Sequence, residues 1–288
     1  MKKILLILLA LIACSSVHAS VNYVYGDVDG DGYVAASDVT AIYNYILLGD
    51  DSGLVNVGDI DGDGVITSSD VTAIYDYLNT GWPSHPYVNL GLPSGTLWAK
   101  TNVGAFAPEQ IGDYFAWGET SPKDYYNWTT YKWCNGDYYS FTKYCKDSAH
   151  GFEGFVDNLT ELEILDDAAT VNWGPEWQMP SREQIQELVD NCTWQWTVRG
   201  SSYGYLMTGP NGAQMFLPAT GMRWDDQLYI ADTSGYYWSR TLGASSDAYV
   251  LMFHYNNGSG NISREYTIAR SYGQPVRPVR IIKNNPQE

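Results

Sequence analysis

Eight aspartates near the amino terminus stand at spacings that suit one chemistry, the binding of a hard divalent cation. Asp27, Asp29, Asp31 and Asp38 occupy positions 1, 3, 5 and 12 of a loop, and Asp59, Asp61, Asp63 and Asp70 repeat that spacing. Calcium takes about six to eight oxygen donors at roughly 2.3–2.6 Å, so the chain must curl tightly enough for the early carboxylates to point inward together. Tyr33 and Val65, at position 7, offer backbone carbonyls, and Gly32 and Gly64, at position 6, permit the sharp turn. Position 9 is Ala35 in one loop and Thr67 in the other, so water completes at least the first shell. Four carboxylates around one dication repel each other when the metal leaves. Folding of this segment is therefore expected to require two calcium ions, one per loop.

The elements that must hold these loops are duplicated with them. GDVDGDGYVAASDVTAIYNYI, from Gly26, recurs as GDIDGDGVITSSDVTAIYDYL from Gly58, an offset of 32 residues. After each loop the apolar spacing predicts an amphipathic helix, with Val39, Ile42, Tyr43 and Ile46 on one stripe and Val71, Ile74, Tyr75 and Leu78 on its counterpart. Neither stripe is large enough to be buried alone. Packed together they would form a core of about 60 residues, a size at which a metal is commonly needed for stability. A chance cluster of Asp and Gly turns would not predict the same helix twice at the same offset.

Charge follows the same division. Residues 21–99 hold 11 acidic residues and no lysine or arginine, whereas from Lys100 onward acids and bases are interleaved. Much of the net charge of −17 thus sits in a small acidic head. Such a surface repels nucleic acid and anionic membranes and favours cations.

The paired loop-helix units, with Asp at position 12, resemble the EF-hand-like dockerin family of type I over about residues 26–80. The resemblance implies an all-α, calcium-dependent plug that binds a cohesin-like or other surface protein and so attaches its passenger to a scaffold or cell surface. Type I dockerins usually carry a Ser-Thr pair just before the last ligand and a Lys-Arg pair along the helix. Here Ala36-Ser37 and Ser68-Ser69 stand at the first, and Tyr43-Asn44 and Tyr75-Asp76 at the second. The partner-reading positions are accordingly Ser37, Tyr43, Asn44, Ser69, Tyr75 and Asp76. Metal binding survives these changes, while the identity of the partner, cohesin or another protein, stays open.

At the amino terminus, Lys2 and Lys3 precede an apolar run from Ile4 to Ala13, the layout of a secretory signal over residues 1–19. Val17-His18-Ala19 offers a cleavage site, and Leu11-Ile12-Ala13-Cys14 resembles a lipobox that would place a lipid anchor on Cys14. Either route delivers an extracytoplasmic protein, secreted or on the cell surface, and membrane contact is expected only through that anchor. The plug, residues 21–80, is followed by a linker at 81–86 in which Gly81, Pro83 and Pro86 break helical periodicity.

The second domain, residues 87–283, reads as α+β, with short strands, long aromatic-rich loops and one clear helix. Ser181 and Gln184 form a capping box, and Ile185, Leu188, Val189 and Cys192 form its stripe. Tyr249, Leu251, Phe253 and Tyr255 alternate as a half-buried strand does, and a last strand is expected near Val276 to Ile282. The strings VNLGLPSGTLWAKTNVGA, GDYFAWGET, WQMPSREQIQEL, GYYWSRT and YGQPVRPVR resemble, in order, the Fibrobacter succinogenes major paralogous domain family over about 87–281. That resemblance implies a C-type-lectin-like fold with paired terminal strands and a loop-rich face free for recognition. The expected fold class is therefore multi-domain, an all-α EF-hand-like dockerin plus an α+β C-type-lectin-like domain.

Function in the second domain is expected to be binding or adhesion to a glycan or a protein. The candidate ligand residues are Arg223, Trp224, Asp225 and Tyr229 in one long polar-aromatic loop expected over residues 222–235, and Asn256, Arg264 and Tyr272 in another expected over residues 255–273. Trp98, Trp117, Trp177 and Trp238 are expected to be structural. The Glu-Pro-Asn and Trp-Asn-Asp strings of calcium-dependent sugar binding are absent from the sequence. The alternative is a dockerin-bearing polysaccharide-degrading enzyme using carboxylates such as Glu119, Glu153, Asp166, Asp167 and Glu176. Cys134 and Cys145 are close enough in sequence for a local bridge, an open possibility, with Cys192 expected as a buried thiol.

Overall fold

The computed structural model describes residues 26–31, 33–54, 58, 60, 65–80 and 85–280. The expected signal segment with Cys14 and Ala19, loop residues Gly32, Asp59, Asp61, Asp63 and Gly64, and the expected linker positions 81–84 lie outside the described residues. No helix among the described residues is long and apolar enough to cross a membrane.

Each predicted helix follows its loop: α1 spans Ala36–Leu48 and α2 spans Ser68–Thr80. The last loop aspartate starts each one. Asp38 Oδ2 accepts the Ala35 N–H at 2.7 Å and Asp70 Oδ2 accepts the Thr67 N–H at 2.7 Å, the carboxylate half of a capping box. The α1 helix stops at Gly49, whose φ of 66° lets its N–H turn back onto the Tyr45 carbonyl.

The helices contribute Ala41, Ile42, Val71 and Ile74 to a shared core, completed by Val28 and Ile60 from position 2 of each loop. Ile42 and Ile74 are fully buried, each worth about 1.5–3 kcal/mol by area. The expected stripes are shorter than the periodicity suggests: Tyr43, Ile46, Tyr75 and Leu78 are exposed rather than buried. A helix of 13 residues outruns so small a core, to which α1 and α2 contribute only Ala41, Ile42, Val71 and Ile74 as buried members among the described residues.

The rest of the described chain is built from sheets. Strands β1 (Tyr87–Asn89), β2 (Leu97–Ala99) and β3 (Trp177–Gln178) form one sheet with the last strand, β12 (Val279–Arg280), in the order β1-β2-β12-β3. The end of this body thus pairs with its beginning. From β2 to a 3-10 turn at Phe152–Gly154 the described backbone runs as turns and isolated bridges. Another 3-10 turn, Ile164–Asp166, leads into α3 (Ala168–Trp173). Helix α4 (Arg182–Asn191) carries the expected capping box, Ser181 N–H donating to Gln184 Oε1 at 2.9 Å.

After α4 come β4 (Thr193–Arg199), β5 (Ser202–Thr208) and β6 (Gln214–Pro218), an antiparallel meander. The hairpin of β7 (Met222–Trp224) and β8 (Gln227–Tyr229) follows. The chain then makes β9 (Ser234–Leu242), β10 (Asp247–Asn256) and β11 (Ser259–Ala269). The alternation expected in β10 is interrupted, because its register shifts between Val250 and Met252 and both Val250 and Leu251 are buried. Residues 259–269, within a segment read as loop from their polarity, are strand β11 at the edge of that sheet. The final strand is described only over Val279–Arg280.

Trp98, Trp117, Trp177 and Trp238 are all buried, and two of them stitch irregular loop to sheet. Trp117 Nε1 donates to the Ser239 carbonyl at 2.8 Å, and Trp238 Nε1 donates to the Phe115 carbonyl at 2.7 Å. Cys134, Cys145 and Cys192 are free thiols, and the local bridge considered for Cys134 and Cys145 is not formed. Their sulfurs meet different backbone carbonyls, that of Trp128 at 3.1 Å for Cys134 and that of Asp147 at 3.1 Å for Cys145.

Candidate metal centre and recognition faces

The first loop curls through bonds between its own aspartates and the backbone ahead. Asp27 Oδ1 accepts the Gly30 N–H at 2.8 Å, Asp29 Oδ1 the Asp31 N–H at 3.1 Å, and Asp31 Oδ1 the Tyr33 N–H at 2.8 Å. Such bonds tighten the turn without using the second oxygen of each carboxylate. Asp38 closes the loop, since Oδ1 accepts the N–H groups of Val28 at 2.6 Å and Asp29 at 3.1 Å.

As a result Asp27, Asp29 and Asp38 each bring a carboxylate oxygen within 4.8 Å of the others. Burial pushes the Asp38 carboxyl above its ordinary range, and the neighbouring Asp29 charge adds to that push against three backbone bonds that pull it down. Three converging carboxylates, one of them fully buried, are oxygen donors of the kind calcium takes. A bound calcium would neutralise this repulsion, and Asp27, Asp29 and Asp38 are the residues that would hold it.

Asp31 lies outside this group, exposed, with its carboxylate on the Tyr33 N–H. Of the second loop only the closing residue can be compared: Asp70 is buried and Oδ1 accepts the Ile60 N–H at 2.6 Å, as Asp38 does from Val28. Val65 is exposed. The six partner-reading positions, Ser37, Tyr43, Asn44, Ser69, Tyr75 and Asp76, are all exposed. Tyr43 and Tyr75 are 45% and 60% exposed, Ile46 and Leu78 38% and 42%, so each copy shows the same apolar pair.

In the body the candidate ligand residues separate. Arg223 pairs with Gly273 across a bridge, bonded both ways at 2.9 Å, which sets Trp224 opposite Tyr272. Their rings stack at 5.9 Å, and Tyr229, partner of Met222 in the hairpin, brings its ring within 5.8 Å of Trp224. Asp225 at the hairpin tip exchanges backbone bonds with Tyr126 and accepts from Asn127 Nδ2 at 2.8 Å. Trp224, Tyr229 and Tyr272, with Asp225 beside them, therefore form one aromatic patch.

Arg223 does not join the patch. Successive strand residues face opposite ways, and its guanidinium lies over the buried Tyr114 ring at 5.1 Å. Arg264 forms an ion pair with Asp190 of α4, and Asn256 ends β10 at the turn into β11. Adjacency in a strand is the signal that separates Arg223 from Trp224, and the loop expected there from the sequence hides it.

Of the carboxylates considered for catalysis, Glu153 is exposed in the 3-10 turn at Phe152–Gly154 and the other four are tied to different partners. Glu119 takes Lys123 Nζ at 2.9 Å and Glu176 pairs with Arg280 at 2.6 Å. Asp166 takes Lys143 at 2.7 Å and the Tyr144 hydroxyl at 2.5 Å, and Asp167 caps α3. His254 Nδ1 meets Ser234 Oγ at 2.7 Å, a pair missed from sequence, but that serine is fully buried.

Comparison with known proteins bears on the head of the chain. No curated protein and no solved structure matches the sequence. Residues 25–79 match the family model for the dockerin type I domain, a calcium-binding domain whose partners are cohesins, and that span contains both loops, α1 and all of α2 but its last residue.

Proposed function

We propose that the chain is an extracytoplasmic, non-catalytic binding or adhesion protein. Its dockerin-type module, folded around two calcium ions, attaches to a cohesin-like surface protein and displays a C-type-lectin-like body. The observation that carries this reading is the duplicated exposure of Tyr43 with Ile46 and Tyr75 with Leu78, beside a cluster of calcium-type carboxylates. Apolar side chains exposed twice at equivalent positions suit a protein partner better than solvent. The module carries no lysine or arginine, so the partner surface should offer apolar area rimmed by basic groups.

The pairing of β2 with β12 supports a body whose termini meet, as in the Fibrobacter major paralogous and C-type-lectin-like arrangement. For its ligand, the Trp224, Tyr229 and Tyr272 patch supports a carbohydrate: aromatic faces take the apolar side of a sugar ring, and Asp225 and Asn127 supply hydrogen-bonding groups beside them.

The test uses the full chain with calcium and with chelator. Binding to immobilised cohesin modules should require calcium and fall at least about tenfold in a Tyr43→Ala, Tyr75→Ala double variant. Calcium-loaded protein that binds no cohesin would sink that partner. On a glycan array, signal lost in Trp224→Ala supports the carbohydrate reading; capture of surface protein without glycan signal supports adhesion instead. Sugar release from any polysaccharide would favour a dockerin-bearing enzyme and overturn the non-catalytic assignment.

A further inference from the structure

The small core of the dockerin module is not closed by the module alone. Ile164, Leu165 and Val171, all from the body, pack against the cluster of Val28, Ala41, Ile42, Ile60, Val71 and Ile74. None of the three belongs to a core cluster of the body, whereas their neighbours Leu162, Ala168 and Trp173 do.

The body anchors the two carboxylates that follow Ile164 and Leu165 in the chain. Asp166 ends the 3-10 turn that carries Ile164 and Leu165, and its buried carboxylate accepts from the Tyr144 hydroxyl at 2.5 Å and Lys143 Nζ at 2.7 Å. The next residue, Asp167, is also buried, and accepts the N–H groups of Ala169 at 2.9 Å, Thr170 at 3.0 Å and Met179 at 2.9 Å. Two consecutive apolar residues thus immediately precede two consecutive anchored carboxylates in the chain. Where the linker reaches the body, the His85 ring lies flat on Trp173 at 3.8 Å and 4°, at the end of α3.

We propose that residues 164–173 are a docking surface for the calcium module of the same chain, and that metal loading and order at this surface are thermodynamically linked. The inference rests on the calcium reading above. A surface that packs only on the folded module favours the metal-loaded state, and by reciprocity the loaded module orders the surface. The body leaves the partner-reading positions open, because Tyr43, Ile46, Tyr75 and Leu78 keep their exposure with the body in place. The two contacts use different faces, so the module can hold its own body and an outside partner together.

Hydrogen exchange on the full chain, with calcium and with chelator, tests this. Chelation should speed exchange in α1 and α2 and also in residues 162–173, while the meander β4–β6 stays protected. A Leu165→Asp variant, in saturating calcium, should speed exchange in α1 and α2 and weaken calcium binding by roughly tenfold, the scale of one partly buried leucine. Leu165 lies outside the body cores, so protection of β4–β6 should be unchanged in the variant and reports that the body has folded. If chelation loosens the helices but leaves 162–173 unchanged, the linkage is wrong and the calcium reading stands. If the helices ignore chelation, the calcium reading fails, and Leu165→Asp alone decides: faster helix exchange supports docking, unchanged exchange overturns it.

Discussion

Replacing Asp38 by asparagine removes one oxygen and one charge from the place where metal, loop and helix meet. The carboxylate takes N–H groups from Val28, Asp29 and Ala35 at 2.6, 3.1 and 2.7 Å, and stands with Asp27 and Asp29 inside a 4.8 Å group. An asparagine that keeps its oxygen on Val28 and Asp29 turns its NH2 group towards the Ala35 N–H, setting donor against donor. Losing one charge-assisted bond and leaving a buried donor unpaired costs about 2–4 kcal/mol. A module of the matched length, 25–79, has a total stability of only about 3–8 kcal/mol at typical values per residue. Calorimetric titration of the full chain should therefore show one calcium site lost or weakened at least about thirtyfold, with a smaller helical circular dichroism signal. Asp70→Asn should do the same at the other loop, since Asp70 takes the Ile60 and Thr67 N–H groups at 2.6 and 2.7 Å. Unchanged stoichiometry and affinity in Asp38→Asn would refute the ligand role. A response in only one of the two variants would confine metal binding to that loop.

Three further outcomes concern the body. Burial pushes the Asp167 carboxyl up to about 6 from 3.8, so between those two pH values the folded chain holds a proton that the unfolded chain has released. That destabilises the fold by about 3 kcal/mol above pH 6, an effect that fades as the pH falls from 6 towards 3.8. Thermal melts should show wild type gaining on Asp167→Asn between about pH 7 and pH 4, and a pH-independent difference would contradict the argument. A Cβ on Gly235 would lie 2.2 Å from the buried Phe253 ring, so Gly235→Ala should lower stability by about 1–3 kcal/mol in denaturant titration. Arg277 is buried, with Nε on Asn102 Oδ1 at 2.7 Å and Nη1 near the carbonyls of Phe216 at 3.1 Å and Ala99 at 3.3 Å. One ammonium cannot replace that fork, and Arg277→Lys should cost about 2–4 kcal/mol in the same assay.

What could be read beforehand was local. Loop ligands separated by two residues, a cap three residues before its partner, and tryptophans in short fixed strings need no distant neighbour to be understood. Burial of charge was not readable in that way. Arg270 looks like a surface residue in the sequence, yet it is fully buried, its guanidinium 3.8 Å from the Phe141 ring and Nη1 donating to the Tyr144 carbonyl. Residues more than a hundred positions upstream create that environment. Strand β11 failed for the opposite reason. It lies at a sheet edge with most residues exposed or half-buried, so Gly260, Asn261, Ser263, Arg264 and Glu265 carry the polarity of a loop without being one.

The two helices join these local and distant effects. In each, the first turn is held by the closing loop aspartate, Asp38 or Asp70, and the middle by Ile42 or Ile74 in the core. The last turns, with Tyr43, Ile46, Tyr75 and Leu78, carry exposed apolar side chains. Isolated helices of this length are marginal in water. The exposed ends can persist only while the first turns are fixed, and the first turns are fixed by carboxylates that repel one another unless a cation lies between them. Partner recognition at Tyr43 and Tyr75 and packing of the body at Leu165 are therefore expected to fail together when calcium is removed, although the two surfaces share no residue.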